Sequence, residues 1–147
     1  MRQAIVSYAK RKLSSNQNLS MELYLRNIAR RWKKEFSVEA ERKLIFSPYV
    51  TSSTAESVVG QSGPCEIHTE FSVELFASHA SSLETLRLLM DRGHKLFHVT
   101  NLHAKVFLIP RQFASVGSQN LTLGGTTNRE ASVVLQDVRH LEVLGKH

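Results

Sequence analysis

The stretch NLHAKVFLIPRQFASVGSQNLTLGGTTNRE, residues 101–130, decides how the rest of the chain is read. Two apolar runs lie inside it, residues 106–109 and 113–116, split by Pro110, Arg111 and Gln112. Short apolar runs around a proline-containing break predict two paired strands. A hairpin of that kind brings its two open ends together. One end carries His103 and Lys105, which on a strand would share a face. The other carries Gly117, Ser118 and Asn120, with the same two-residue spacing between Ser118 and Asn120. An imidazole, an ammonium, a hydroxyl and an amide then converge on one spot, and as a set they suit an anion.

The anion that best uses this set is a phosphodiester. Its pentacoordinate transition state concentrates charge on oxygen, so catalysis needs fixed positive charge and donors aimed at those oxygens. Lysine supplies a point charge and asparagine two N–H donors. Histidine, with an ordinary pKa near ~6.5, is a competent neutral nucleophile near neutral pH. A carboxylate against its other ring nitrogen fixes the tautomer. Glu130 closes the stretch. The donor set lacks the carboxylate cluster that holds Mg²⁺, so no metal and no cofactor are expected.

The same residues carry a resemblance. H-x-K at 103–105 followed by G-S-x-N at 117–120 resembles the signature of the phospholipase D superfamily, and the flanking NLHAK, VGSQNLT and NRE resemble its nuclease branch. It is specific over residues 101–130 and extends back to about residue 43. The resemblance implies that His103 attacks phosphorus, Lys105 and Asn120 hold phosphate oxygens, Ser118 supports the site and Glu130 orients a histidine. The full family motif has an aspartate five residues after the lysine; here that position is Pro110. Family members with two H-x-K motifs draw the acid from the second one. This chain has one such motif, so the resemblance implies a homodimer with the site across its two-fold axis.

The bounds agree with one catalytic domain. The chain has 147 residues, 41% of them hydrophobic and 22% charged. That suits a globular domain with a real core. Cys65 is the single cysteine, so no internal disulfide is possible. The start, MRQAIVSYAKRKL, lacks the long apolar run of a secretory signal, and no stretch approaches a transmembrane span. The expectation is a soluble cytoplasmic protein without stable membrane insertion.

Net charge is +6, and it is lopsided. Residues 1–43 hold eleven Lys and Arg against four Glu, while the remainder is near neutral. We therefore divide the chain into a basic helical segment, 1–42, and a phospholipase D-like catalytic domain, 43–147. Such asymmetry points to nucleic acid or another anionic surface. The expected partner is nucleic acid, DNA ahead of RNA. Residues 14–20 read as a polar loop. From Ser20 a helix is predicted, with Leu25, Ile28, Ala29, Trp32 and Phe36 on its buried face. Arg26, Arg30, Lys33 and Lys34 gather beside that face. They read equally as a solvated flank or as a stripe that tracks a phosphate backbone.

The remaining elements alternate. Residues 43–50 predict a core strand stopping at Pro48. Ser53 and Glu56 form a capping box for a helix ended by Gly60. A turn at residues 61–64 leads to a strand at 65–71, with Cys65, Ile67, Thr69 and Phe71 on one face. Ser81 and Glu84 form a second capping box, for a helix with Leu83, Leu86, Leu89 and Met90 inward and Gly93 at its end. Strands at 96–99 and 133–135 flank the hairpin. The class is α/β, a mixed sheet flanked by helices and preceded by a basic helix. The other histidines form no metal-binding pattern and read as surface or strand-face residues. Two alternatives to a nuclease use the same residues: a nucleic-acid-binding module of this fold with weak or lost turnover, and a lipid phosphodiesterase.

Overall fold

The computed structural model describes residues 21–60 and 62–146. The polar loop expected at 14–20 and the first residue of the turn at 61–64 lie outside the described residues. In chain order the elements are β1 (Met21–Tyr24), α1 (Ala29–Phe36), β2 (Leu44–Phe46), α2 (Ser52–Val59), β3 (Glu66–Thr69), α3 (Val73–Ala77) and α4 (Leu83–Asp91). They continue as β4 (Lys95–His98), β5 (Val106–Ile109), β6 (Phe113–Gly117), α5 (Leu123–Thr127), β7 (Ser132–Leu135) and α6 (Val138–Leu144).

The strands form one mixed sheet in the order β1-β7-β6-β5-β2-β3-β4. β2, β3 and β4 are parallel; the other pairs are antiparallel. The α/β class and the expected hairpin are both present, with Val106 opposite Val116 and Ile109 opposite Phe113.

Strand alternation splits the apolar residues between two faces. On one face Ile45, Ile67, Phe107 and Val134 pack against Trp32 and Phe36 of α1, Val58 and Val59 of α2, and Leu86 and Leu89 of α4. Trp32 stacks on Phe107 with centroids 3.6 Å apart, and its Nε1–H donates to Ser115 Oγ at 2.6 Å. A buried indole is thereby both packed and satisfied. On the other face Leu44, Leu108 and Ala114 meet Leu141 of α6.

Several expectations need correction. The helix does not run from Ser20. Residues 21–24 are an edge strand paired with β7, Met21 opposite Leu135 and Tyr24 opposite Ser132. The helix starts at Ala29, and Leu25 is exposed. Helical spacing cannot register a sheet edge supplied by residues more than a hundred positions away. The caps also shift. Thr51, not Ser53, is the N-cap of α2, and Ser82, not Ser81, caps α4 by accepting from the Thr85 amide at 3.1 Å. Ser81 instead accepts from the Val50 amide. Leu83 and Met90 are exposed, and Thr85 takes the inward position beside Leu86 and Leu89. Both capping boxes fail because these hydroxyls have longer-range partners or lie past the cap. Phe71 falls beyond β3 and is partly exposed. β2 stops at Phe46, because Ser47 turns its hydroxyl back onto the Tyr49 carbonyl.

Candidate active site

The open end of the β5–β6 hairpin gathers the motif residues, in a way the strand register explains. His103 and Lys105 lie on the lead-in to β5 rather than within a strand. The ladder nevertheless extends by one step, since the Gly117 amide donates to the Lys105 carbonyl at 3.2 Å. Lys105 thus sits beside Gly117, the last residue of β6. Lys105 Nζ donates to the His103 carbonyl at 2.8 Å and lies 3.3 Å from His103 Nδ1. The imidazole itself is exposed.

Gly117 is a close-approach glycine. A Cβ there would lie 2.3 Å from Ser132 Oγ and 2.4 Å from the Ala131 carbonyl. Only glycine lets β7 come this near. The pairing with β7 then runs on past β6, since the Ser118 amide donates to the Ala131 carbonyl at 3.0 Å. Ser118 Oγ donates to the Glu130 carboxylate and accepts from the Ala131 amide at 3.1 Å. Glu130 is thus brought to Ser118; among the described residues it makes no hydrogen bond to a histidine.

Asn120 follows on the same side. It is half-buried, and its Oδ1 is buried without a hydrogen bond among the described residues. Its backbone is pressed by α5, where a Cβ on Gly125 would lie 2.5 Å from the Asn120 carbonyl. The next residue is pinned on both sides. The Leu121 amide donates to Ser47 Oγ at 2.9 Å, and its carbonyl accepts from the Thr51 amide at 3.0 Å. The structure therefore brings His103 to Lys105 and Ser118 to Glu130, and the Lys105–Gly117 step holds the two pairs side by side.

No protein-family model matches the sequence, and no curated protein matches it either. Solved structures do resemble it. Nuc from Salmonella typhimurium, a phospholipase D family member, aligns with a TM-score of 0.64 at 18% identity, over 87% of this chain and 90% of its own. NucT from Helicobacter pylori aligns with a TM-score of 0.66 at 13% identity, over 88% and 92%. The chain has the phospholipase D fold. TrmBL2, an archaeal chromatin protein described as showing a novel mode of DNA binding, aligns at 0.54 and 9% identity, over 99% of this chain and 56% of its own.

Within this phospholipase D fold, Pro110 falls in the hairpin turn at the far end of β5. Five extended residues separate it from Lys105, about 17 Å of strand. A side chain there does not reach the motif residues, so the proline leaves their grouping intact.

Sequence reasoning missed Gln119, the variable position of G-S-x-N. Alternation sends its side chain to the opposite side from Ser118 and Asn120. There it is buried, accepts from the Ile28 amide at 2.9 Å, and donates to Asn27 Oδ1 at 3.0 Å. The start of the basic helix is thereby bolted to the motif turn. The signal was available: a long amide at a strand end whose neighbours both face the site has only the core side to go to.

Arg26, Arg30, Lys33 and Lys34 are exposed and form no ion pair among the described residues. Arg31, which the sequence did not single out, does pair. It reaches Glu35 at 2.9 Å and Glu22 at 3.7 Å and lies over the Phe113 ring. Of the other histidines, His94 is buried and accepts from the Cys65 amide at 3.1 Å. His68 is stacked between Phe46 and Phe97. Among the described residues no group of His, Cys, Asp and Glu is placed to hold a metal ion, and no helix is long and apolar enough to cross a membrane.

Proposed function

We propose that the protein is a phosphodiesterase that cuts nucleic acid, DNA ahead of RNA, through a phosphohistidine formed on His103. The observation that carries this reading is the Lys105–Gly117 hydrogen bond, which sets H-x-K and G-S-x-N side by side on a phospholipase D fold. In the first step His103 attacks phosphorus. A P–N bond forms, the P–O bond to the leaving group breaks, and the departing oxygen takes a proton from an acid. In the second, water attacks phosphorus, gives up a proton to that same group, and the P–N bond breaks. Lys105 and Asn120 stabilise the charge that develops on the non-bridging oxygens. Ser118 and Glu130 hold the shape of the turn, and the Glu130 carboxylate is the group that would orient an imidazole.

The acid is the difficulty for a single chain. One H-x-K motif supplies one such histidine, and here it is exposed. A homodimer with His103 of each copy facing the other across the two-fold axis supplies both a neutral nucleophile and a protonated acid. The fold likeness to a chromatin protein described as binding DNA, and a basic stripe free of ion pairs among the described residues, favour nucleic acid over lipid.

The test is release of a labelled fragment from DNA in EDTA, with folded His103→Ala protein as control. Wild-type protein should cut with chelator present, because the donor set is imidazole, ammonium and amide. The variant should lose several orders of magnitude in rate. Equal cutting by both would remove His103 from the chemistry. Cutting that stops in EDTA and returns with Mg²⁺ would replace the mechanism.

A further inference from the structure

We propose that an open cleft bordering Asn120 seats one nucleoside of the substrate beside the scissile phosphate. This rests on the phosphodiesterase reading for placing that phosphate at Asn120. The cleft has a volume of about 530 Å³, and Tyr49, Ser53, His79, Asn120, Gly124 and Asn128 are among its lining residues. That volume lies within the roughly 300–1,000 Å³ typical of small-molecule sites.

The lining decides what fits. It contains no Asp, Glu, Lys or Arg. A phosphate needs positive charge, which the lining does not supply. A quaternary ammonium headgroup needs a carboxylate or several aromatic faces. The cleft instead offers hydroxyls, two amides and an imidazole, with Gly124, Gly125 and the half-buried Tyr49 also in its lining. Groups that both donate and accept suit the edge of a nucleobase and the hydroxyl of a sugar, and a phenol ring suits stacking. The buried Asn120 Oδ1, without a hydrogen bond among the described residues, is a further acceptor at this cleft.

His79 is the residue most exposed to this role. Its φ is +59°, in the left-handed region, just past the C-cap of α3. Glycine ordinarily takes that position. The turn around it is fixed, because Val50 holds it twice: its amide donates to Ser81 Oγ at 3.1 Å and its carbonyl accepts from the Ser82 amide at 2.9 Å. A non-glycine residue held in the left-handed region at the rim of a cleft is the pattern expected of a side chain retained for contact with a ligand.

Two substitutions test the seat without touching the motif residues. At Gly124 an added Cβ has room, with Thr122 Oγ1 at 3.8 Å and Asn128 Nδ2 at 3.9 Å as its nearest neighbours, so Gly124→Phe fills the cleft. His79→Gly removes the imidazole and relieves the backbone. The measurement is displacement of a fluorescein-labelled single-stranded oligonucleotide, read by anisotropy. The competitors are deoxynucleoside 3′- and 5′-monophosphates, glycerol phosphate and inorganic phosphate. Wild-type protein should bind a nucleotide at least about tenfold more tightly than inorganic phosphate, and glycerol phosphate should behave like phosphate. Gly124→Phe should abolish the nucleotide's advantage and His79→Gly should reduce it, with phosphate affinity unchanged in both. Equal affinity for nucleotide and phosphate in the wild type overturns the seat, as does a nucleotide advantage that survives Gly124→Phe, or glycerol phosphate binding as well as nucleotide. DNA cutting unaffected by Gly124→Phe also overturns it while leaving the phosphodiesterase reading in place. A nucleotide advantage lost in Gly124→Phe, in a protein that never cuts DNA, supports the seat and removes the turnover.

Discussion

Gln119 Oε1 accepts the Ile28 amide proton at 2.9 Å, across 91 positions of chain. One buried amide thereby joins the G-S-x-N turn to the start of the basic helix. Gln119→Ala would leave a buried N–H without a partner, at a cost of about 1–3 kcal/mol. Urea unfolding should show that loss. Gln119→Glu keeps an acceptor for Ile28 but sets a buried carboxylate against Asn27 Oδ1 in place of the Nε2–H donor, and should also lose stability. An unchanged midpoint for Gln119→Ala would mean that the bolt adds nothing to stability.

The same hydrogen bond fixes the start of the basic helix on the motif turn. Arg26, Arg30, Lys33 and Lys34 are exposed and free of ion pairs among the described residues. Charge reversal at Arg26, Arg30 and Lys33 should weaken binding to DNA. It should also reduce the slope of log K against log salt by roughly one for each phosphate that is no longer neutralised. The same slope in variant and wild type would return the helix to a purely structural role.

Stability should fall in acid for a specific reason. Burial, then the positive charges of Arg92 and Lys43, holds the His94 imidazole below its ordinary pKa of 6.5. Burial lowers His68 in the same direction. A lowered histidine pKa means that the folded state resists protonation more than the unfolded chain does. The stability it confers is complete above about pH 6.5 and is lost as pH falls below that value. The urea midpoint should therefore drop between pH 7.5 and pH 5. His94→Gln should flatten that drop; an equal acid loss in His94→Gln would assign it to other groups.

If two copies share one site, mixed dimers of wild-type and His103→Ala chains hold only one of the two histidines. Activity in such mixtures should fall as the square of the wild-type fraction. A linear fall, or full activity from a monomer by light scattering, would place acid and nucleophile within one chain.

Much of this was legible in the sequence where interactions are local. The hairpin was visible because Val106–Ile109 and Phe113–Gly117 are short apolar runs around one break. The buried stripe of α1 held from Ile28 through Trp32 to Phe36 for the same reason. What failed was non-local. β1 exists because β7 offers an edge, and Thr51 and Ser81 have their hydroxyls engaged by the Leu123 and Val50 amides. α3 and α5 span only five residues each, too short for a 3.6-residue period to show. At the site the residue types were readable, but the partner of Glu130 was not, since Ser118 reaches it only through the Gly117–β7 approach.

In the proposed mechanism His103 becomes covalently attached to phosphorus. Single-turnover reaction with labelled DNA, quenched in alkali to preserve a P–N bond, followed by mass spectrometry of the peptide bearing residue 103, tests it directly. We predict a nucleotide adduct on His103 that forms and decays at rates consistent with turnover, is destroyed by acid, and is absent from His103→Ala. Turnover with no adduct at His103, or with the adduct on another residue, would contradict it.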